Sequence, residues 1–226
     1  MSNTDRLQRT LGYEFADSAL LTLALSHRSM GAKNNERLEF LGDSIVNHVV
    51  AEALYKKFPA ADEGAMSRMR ASLVKGDTLA EIASEIDLGE YLLLGPGERK
   101  SGGRRRSSIL ADALEAVAGA ILMDSSVDRC RIFLLRLFKS RLDGLNDQTG
   151  EKDAKTLLQE YLQGNHRPLP AYQLIKVEGG DHNPQFLVSC TLTKPTVCFE
   201  GVGSSRRKAE QQAARHALCE VNSDGK

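Results

Sequence analysis

"ILADALEAVAGAIL", residues 109–122, is a run of Ile, Leu, Ala, Val and Gly interrupted by two acids, Asp112 and Glu115. It is too short to cross a bilayer and suits a buried helix in a globular core. On a helix, residues three apart share a face, so the two carboxylates are neighbours and repel. Burying even one unpaired carboxylate is costly. A cation is therefore expected beside them.

The same pattern recurs upstream. In "NERLEFLGDSIVNHVV" (35–50), Glu36, Glu39 and Asp43 fall within an arc of about 60° on a helical projection. Leu38, Leu41, Ile45, Val46, Val49 and Val50 occupy much of the remainder. Packed face to face, the two helices bring Glu39, Asp43, Asp112 and Glu115 together. Such a cluster suits Mg²⁺, a hard cation that takes carboxylate oxygens and retains waters, with Mn²⁺ as a substitute. The competing reading makes each stripe a solvated helix edge. Glu63, in "FPAADEGAMSRMR" (58–70), stands at a loop–helix junction, where an acid also suits the positive end of the helix dipole.

Working outward, apolar residues recur at three and four spacing in 18–25, 38–50, 66–74, 78–86, 109–122 and 130–142. The polar, glycine-containing stretch "DGLNDQTGEKD" (143–153) reads as a linker. After it come a short helix (154–163) and three strand-like runs, "AYQLIKV", "QFLVSCTL" and "TVCFEGVG". A last helix runs from Ser205 to Val221, with Ala209, Ala213, Ala217, Leu218 and Val221 inward. The chain is expected to be multidomain: an all-α domain over 1–143, a linker over 144–153, and a small α+β domain of order αβββα over 154–222.

The chain carries 30 basic and 30 acidic residues, so any polyanion site must come from local clustering. Its four cysteines form no CxxC pair and suit reduced, structural thiols. With neither a signal pattern at the N-terminus nor a membrane-length apolar run, a cytoplasmic location and no membrane partner are expected.

Local basic clustering does occur. In "GVGSSRRKAEQQAA" (201–214), Ser204 or Ser205 is a good N-cap, yet the first turn holds Arg206, Arg207 and Lys208. Cations there oppose the helix dipole, at roughly 0.3–1 kcal/mol each. Three cations with free backbone N–H groups make a phosphate cradle; the bland alternative is a solvated basic patch. On the helix at 154–163, Thr156, Gln159, Glu160 and Gln163 cluster opposite Leu158, Tyr161 and Leu162. These polar groups can bond ribose 2′-hydroxyls in a wide, shallow minor groove. His182, after the first strand, is either a second minor-groove probe or a plain loop histidine. The scarcity of aromatics argues against single-strand binding.

"NERLEFLGDSIV" resembles the signature of the ribonuclease III family. "FPAADEGAMSRMRASLV", "LGPGERKSGGRRRSSILADALEA" and "GVGSSRRKAEQ" resemble its other blocks, in order, over essentially the whole chain. The resemblance implies a homodimeric, Mg²⁺-dependent endoribonuclease that hydrolyses double-stranded RNA. It implies 5′-phosphate and 3′-hydroxyl ends with two-nucleotide 3′ overhangs, and a role in processing ribosomal RNA precursors and other structured RNAs. Glu39, Asp43, Asp112 and Glu115 match the four catalytic carboxylates, with Glu36 and Glu63 as accessory acids. Two positions depart from the double-stranded-RNA-binding pattern: Glu210 stands where a lysine is general, and Ala154 where a proline is frequent.

The expected chemistry is attack of metal-activated water on an RNA phosphodiester. Glu39, Asp112 and Glu115 are expected as metal ligands, with Asp43 holding a metal-bound water or a second ion. His27 in "SHRS" reads as structural. "KSGGRRRSS" (100–108) leads into the acidic helix, so Arg104, Arg105 and Arg106 either hold phosphates there or form a solvated loop. Two alternatives stand: a double-stranded-RNA-binding regulator that does not cut, disfavoured by the complete acid set, and a helical small-molecule phosphohydrolase, which leaves the αβββα region unexplained.

Overall fold

The computed structural model describes residues 3–146, 153–179, 184–193 and 196–223. Its contacts divide the chain into two compact units, Met1–Gly150 and Glu151–Lys226. His182 and residues 147–152 of the expected linker lie outside the described residues.

The first unit is helical. It comprises α1 (Asn3–Leu11), α2 (Ser18–Ala24), α3 (Glu36–Lys57), α4 (Glu63–Val74), α5 (Gly76–Glu85), α6 (Pro96–Lys100), α7 (Ser107–Asp124) and α8 (Val127–Asp143), with short 3-10 turns between some of them. The opening stretch forms the middle of α7, which packs against α2, α3, α5 and α8. Ala113, Leu114, Ala116, Val117, Ala118, Ala120 and Ile121 are all fully buried. Alanine dominates that list because a helix with neighbours on so many sides has little room for large side chains. By contrast α8 buries one stripe, made of Cys130, Phe133, Leu134, Phe138 and Leu142.

Capping side chains set several of the helix starts. The Asp17 carboxylate accepts from the Ala19 amide at the head of α2, and the Ser126 hydroxyl accepts from Arg129 at the head of α8. Asp62 accepts from the Ala65 amide at 2.6 Å, which starts α4 at Glu63, ahead of the expected Met66. α3 continues past Val50 to Lys57 because Leu54, buried at 1% exposure, extends the apolar stripe by another turn. α1 has no counterpart among the expected helices, yet its Leu7 and Leu11 are completely buried.

The second unit is a three-stranded antiparallel sheet with two helices. α9 (Ala154–Gly164) precedes β1 (Ala171–Glu178), β2 (Gln185–Leu192) and β3 (Val197–Gly203), and α10 (Arg206–Ser223) follows. The strand order is β1-β2-β3, with Tyr172 opposite Cys190 and Cys190 opposite Phe199. Ala154, Leu158 and Leu162 of α9 meet Cys190 and Leu192 of β2 and Ala213, Ala214, Ala217 and Val221 of α10. Leu218, expected inward, is only half-buried, and Ala214 takes the inner position. A Cβ at Gly201 would lie 2.3 Å from the Ala209 carbonyl oxygen, and one at Gly203 2.5 Å from the Ala209 nitrogen. Only glycine lets β3 come that close to the first turns of α10.

Candidate active site and nucleic-acid interface

The acidic site is built by two glycines. A Cβ at Gly42 would stand 1.7 Å from the Glu115 carbonyl oxygen, and one at Gly119 2.2 Å from that of Leu38. α3 and α7 therefore meet backbone to backbone. That contact carries Glu39, one helical turn before Gly42, to Asp112 and Glu115. One carboxylate oxygen from each of Glu39, Asp112 and Glu115 lies within 4.8 Å of the others, and all three residues are half-buried.

Electrostatics record the crowding. Burial, and then the charges of Asp43, Glu39 and Asp112, push the Glu115 carboxyl up to about 8. Burial, then Asp112 and Glu36, raises Glu39; Arg28 opposes that rise. Asp112 is raised by burial against the pull of His27 and Arg28. Three converging, partly dehydrated oxygen donors that repel one another fit a hard divalent cation, which supplies the missing positive charge.

Asp43 stands at the open edge. It is exposed, its Oδ1 accepts from Asn47 Nδ2 at 2.8 Å, and it acts on Glu115 through charge without joining the three converging oxygens. Glu36 lines the same cavity of about 320 Å³ as Glu39 and Asp112. Glu63 does not. It accepts from Ser67 Oγ at 2.7 Å and lines a separate groove with His48, Tyr55, Met66 and Arg70.

Of the loop arginines, only Arg106 lines the acidic cavity, where its Nη1 pairs with Glu98 Oε1 at 2.6 Å. Arg104 donates to the carbonyls of Gly89 and Glu90, so it ties down the 88–91 turn, while Arg105 is exposed. His27, Arg28 and Glu98 are site-lining residues that the sequence pattern did not single out. His27 is also structural: it is 8% exposed, caps the turn at 28–30 and contacts Ser29 Oγ at 2.9 Å.

In the second unit, Asp153 caps α9 through the Thr156 amide, and Thr156, Gln159, Glu160 and Gln163 form an exposed edge. Ser205 Oγ accepts from the Lys208 amide at 3.3 Å, the N-cap bond expected of either Ser204 or Ser205. Arg206, Arg207 and Lys208 are exposed on that first turn. Arg207 and Lys208 share a groove with Gln211, Gln212 and Arg215. The sequence reading missed Arg215, although its spacing of seven from Lys208 puts it on the same helix face. Glu210 is largely covered and pairs with Lys155 and Arg206.

Residues 17–142 match the ribonuclease-III-like family model, and residues 154–221 match the double-stranded RNA binding motif. The chain is 57% identical over 218 residues to Ribonuclease 3 of Shewanella amazonensis, covering 96% of each protein. It is 54% identical over 220 residues to Ribonuclease 3 of Vibrio parahaemolyticus, again covering 96% of each. Among solved structures, the nuclease domain of Campylobacter jejuni ribonuclease III superposes with a TM-score of 0.62 at 41% identity, covering 65% of this chain and all of that one. A second structure of that domain, described for flexibility in a region involved in dimer formation, gives a TM-score of 0.60 at 42% identity, covering 61% and 97%. With a helical unit that matches this nuclease and an αβββα unit that matches an RNA-binding motif, the chain belongs to the ribonuclease III family.

Proposed function

We propose that this chain is a homodimeric, Mg²⁺-dependent endonuclease that hydrolyses phosphodiester bonds in double-stranded RNA in the cytoplasm. Mn²⁺ serves as a substitute metal. The products carry 5′-phosphates, 3′-hydroxyls and two-nucleotide 3′ overhangs, and ribosomal RNA precursors and other structured RNAs are the substrates. The observation that carries this reading is the convergence of Glu39, Asp112 and Glu115 on one point, in a chain whose other unit matches an RNA-binding motif.

Glu39, Asp112 and Glu115 would hold the metal. When bound, it supplies a more acidic attacking water and offsets charge on the leaving oxygen. Asp43, on the open side, is placed to orient water toward the phosphorus while Asn47 fixes its carboxylate. Arg28 and Arg106, on the cavity wall, oppose the charge of the substrate phosphate. Water adds to phosphorus as its bond to the 3′-oxygen breaks, which leaves a 3′-hydroxyl on the upstream fragment and a 5′-phosphate on the downstream one. The second unit selects the duplex: α9 presents its polar edge to ribose hydroxyls, and the first turn of α10 presents three cations to phosphates.

One cluster cuts one strand, so a duplex calls for two clusters, and a two-fold dimer supplies them. Phe40, the residue after Glu39, is 78% exposed, and Tyr55 on the same helix is 72% exposed. Large, exposed apolar groups on the helix that carries Glu39 suit a protein partner. The relative described for a dimer-forming region supports the same reading.

The test is incubation of the purified full chain with a long RNA duplex, in Mg²⁺ and in chelator, followed by end-mapping. Staggered cuts in Mg²⁺ alone are expected. An intact duplex in both Mg²⁺ and Mn²⁺ would overturn the proposal.

A further inference from the structure

Glu210 poses a problem of sign. It puts a carboxylate on the helix whose first turn holds Arg206, Arg207 and Lys208, where phosphate is to bind. By simple electrostatics an acid there weakens binding of a polyanion, and its removal should tighten it. The geometry gives it another use. Its Oε1 accepts from Arg206 Nε at 3.0 Å and its Oε2 from Lys155 Nζ at 2.7 Å. The Glu210 side chain is 13% exposed, whereas that of Arg206 is 59% exposed. A covered carboxylate thus lies beneath an exposed guanidinium and holds it by Nε. That attachment leaves both terminal nitrogens for another acceptor.

The other oxygen reaches a different helix. Lys155 lies in the first turn of α9, and its ammonium also sits 4.3 Å from the centre of the Tyr172 ring on β1. Its backbone amide donates to Gln211 Oε1 at 3.2 Å. Adjacent residues of α10, Glu210 and Gln211, therefore grip one residue of α9 by side chain and by backbone. Lys155 is spent as a strut, and Arg206 is the end left facing solvent.

We infer that Glu210 is a positioning residue for duplex binding: by holding Arg206 and Lys155 on one carboxylate, it fixes the phosphate-binding turn of α10 against the ribose-facing helix α9, so that both engage one RNA helix in register. This rests on the reading of α9 and α10 as the RNA-binding elements. A duplex fixes the spacing between its minor groove and its flanking phosphates, so two elements locked at a matching spacing bind without the ordering cost that loose side chains incur.

The test is a double-mutant cycle in the full chain, read as affinity for a fixed RNA duplex in chelator across a salt series. The four proteins are wild type, Glu210→Gln, Arg206→Ala and the double variant. Although it removes a negative charge, Glu210→Gln is expected to weaken binding about three- to tenfold and to flatten the salt dependence by about one phosphate contact. In the Arg206→Ala background the same substitution should have little further effect. Tighter binding by Glu210→Gln would overturn the inference in favour of simple repulsion. Equal weakening with and without Arg206 would also overturn it, since it would mean general loss of structure. If Arg206→Ala itself leaves affinity unchanged, the RNA-binding reading of this turn falls, and the inference with it.

Discussion

Gly42 and Glu115 are in backbone contact: a side chain on the first could not coexist with the carbonyl of the second, because its Cβ would lie 1.7 Å from that oxygen. The closeness that packs α3 on α7 is the closeness that gathers the acids. Fold and chemistry share one contact.

Gly42→Ala should therefore damage both. The helices must separate, since the clash is with backbone and no side chain can swing away. Overpacking of this kind costs about 1–3 kcal/mol, which is several degrees in melting temperature for a chain of this size. Thermal melts should fall accordingly. Cleavage measured well below the new midpoint should fall by more than the folded fraction does, because the three carboxylates no longer converge. A folded variant with native cleavage would detach the glycine from the site.

Glu115→Gln separates chemistry from binding. It keeps the shape of the side chain and removes a ligand charge, so cleavage in Mg²⁺ should drop by orders of magnitude. Duplex affinity, resting on residues 154–221, should change little. A variant that cuts at near-native rate would remove Glu115 from the active site.

The same carboxyl makes stability depend on pH. Glu115 is pushed up to about 8 in the fold, above its ordinary value of 4.5. Between those values the folded chain keeps a proton that the unfolded chain has released. The folded state is thus progressively disfavoured as pH rises from about 4.5 to about 8, and the loss levels off above that. In chelator, the wild type should lose a few degrees of melting temperature across this window relative to Glu115→Gln. Mg²⁺ should restore them in the wild type and not in the variant. Parallel pH profiles for the two proteins without metal would contradict the crowding.

Much of this site was legible because helix periodicity is local. Asp112 and Glu115 share a face by spacing alone, and Glu39 and Asp43 form a stripe by the same arithmetic. Their union needed only the assumption that two apolar helices pack together. The rest depends on tertiary contacts that no spacing encodes. His27 and Arg28 reach the acidic cavity from one segment and Glu98 from another. Arg104 and Arg106, two residues apart, part company because one meets the carbonyls of Gly89 and Glu90 while the other meets Glu98. Glu63 carries the right charge but faces a different groove. α1 escaped notice because Leu7 and Leu11 are too few to make a periodic signal, although both are fully buried.

The basic turn of α10 should act without regard to sequence. Arg206→Ala with Lys208→Ala removes two exposed cations that suit phosphates, which are alike in every duplex. Affinity for unrelated duplexes should fall by about the same factor, and the slope of affinity against salt should flatten by about two contacts. A loss confined to one sequence would mean that these residues read bases.

Dimerisation should reside in the helical unit, where Phe40 and Tyr55 are large, exposed apolar groups on the helix that carries Glu39. A chain of residues 1–147 lacks the RNA-binding motif but keeps α1 to α8. The nuclease domain of the Campylobacter jejuni relative, solved by itself, indicates that such a unit can stand alone. The shortened chain should sediment as a dimer, and Phe40→Ser should shift it toward monomer. With both acidic clusters present it should still cut duplex RNA at low salt and high Mg²⁺. It should lose activity at moderate salt, where the missing phosphate contacts weigh most. Its products should keep the two-nucleotide stagger, because that offset is set by the dimer's two clusters across one minor groove. Sedimentation and end-mapping on the same sample decide the matter: a monomer that still yields staggered double cuts would defeat the assignment of one cluster to each strand.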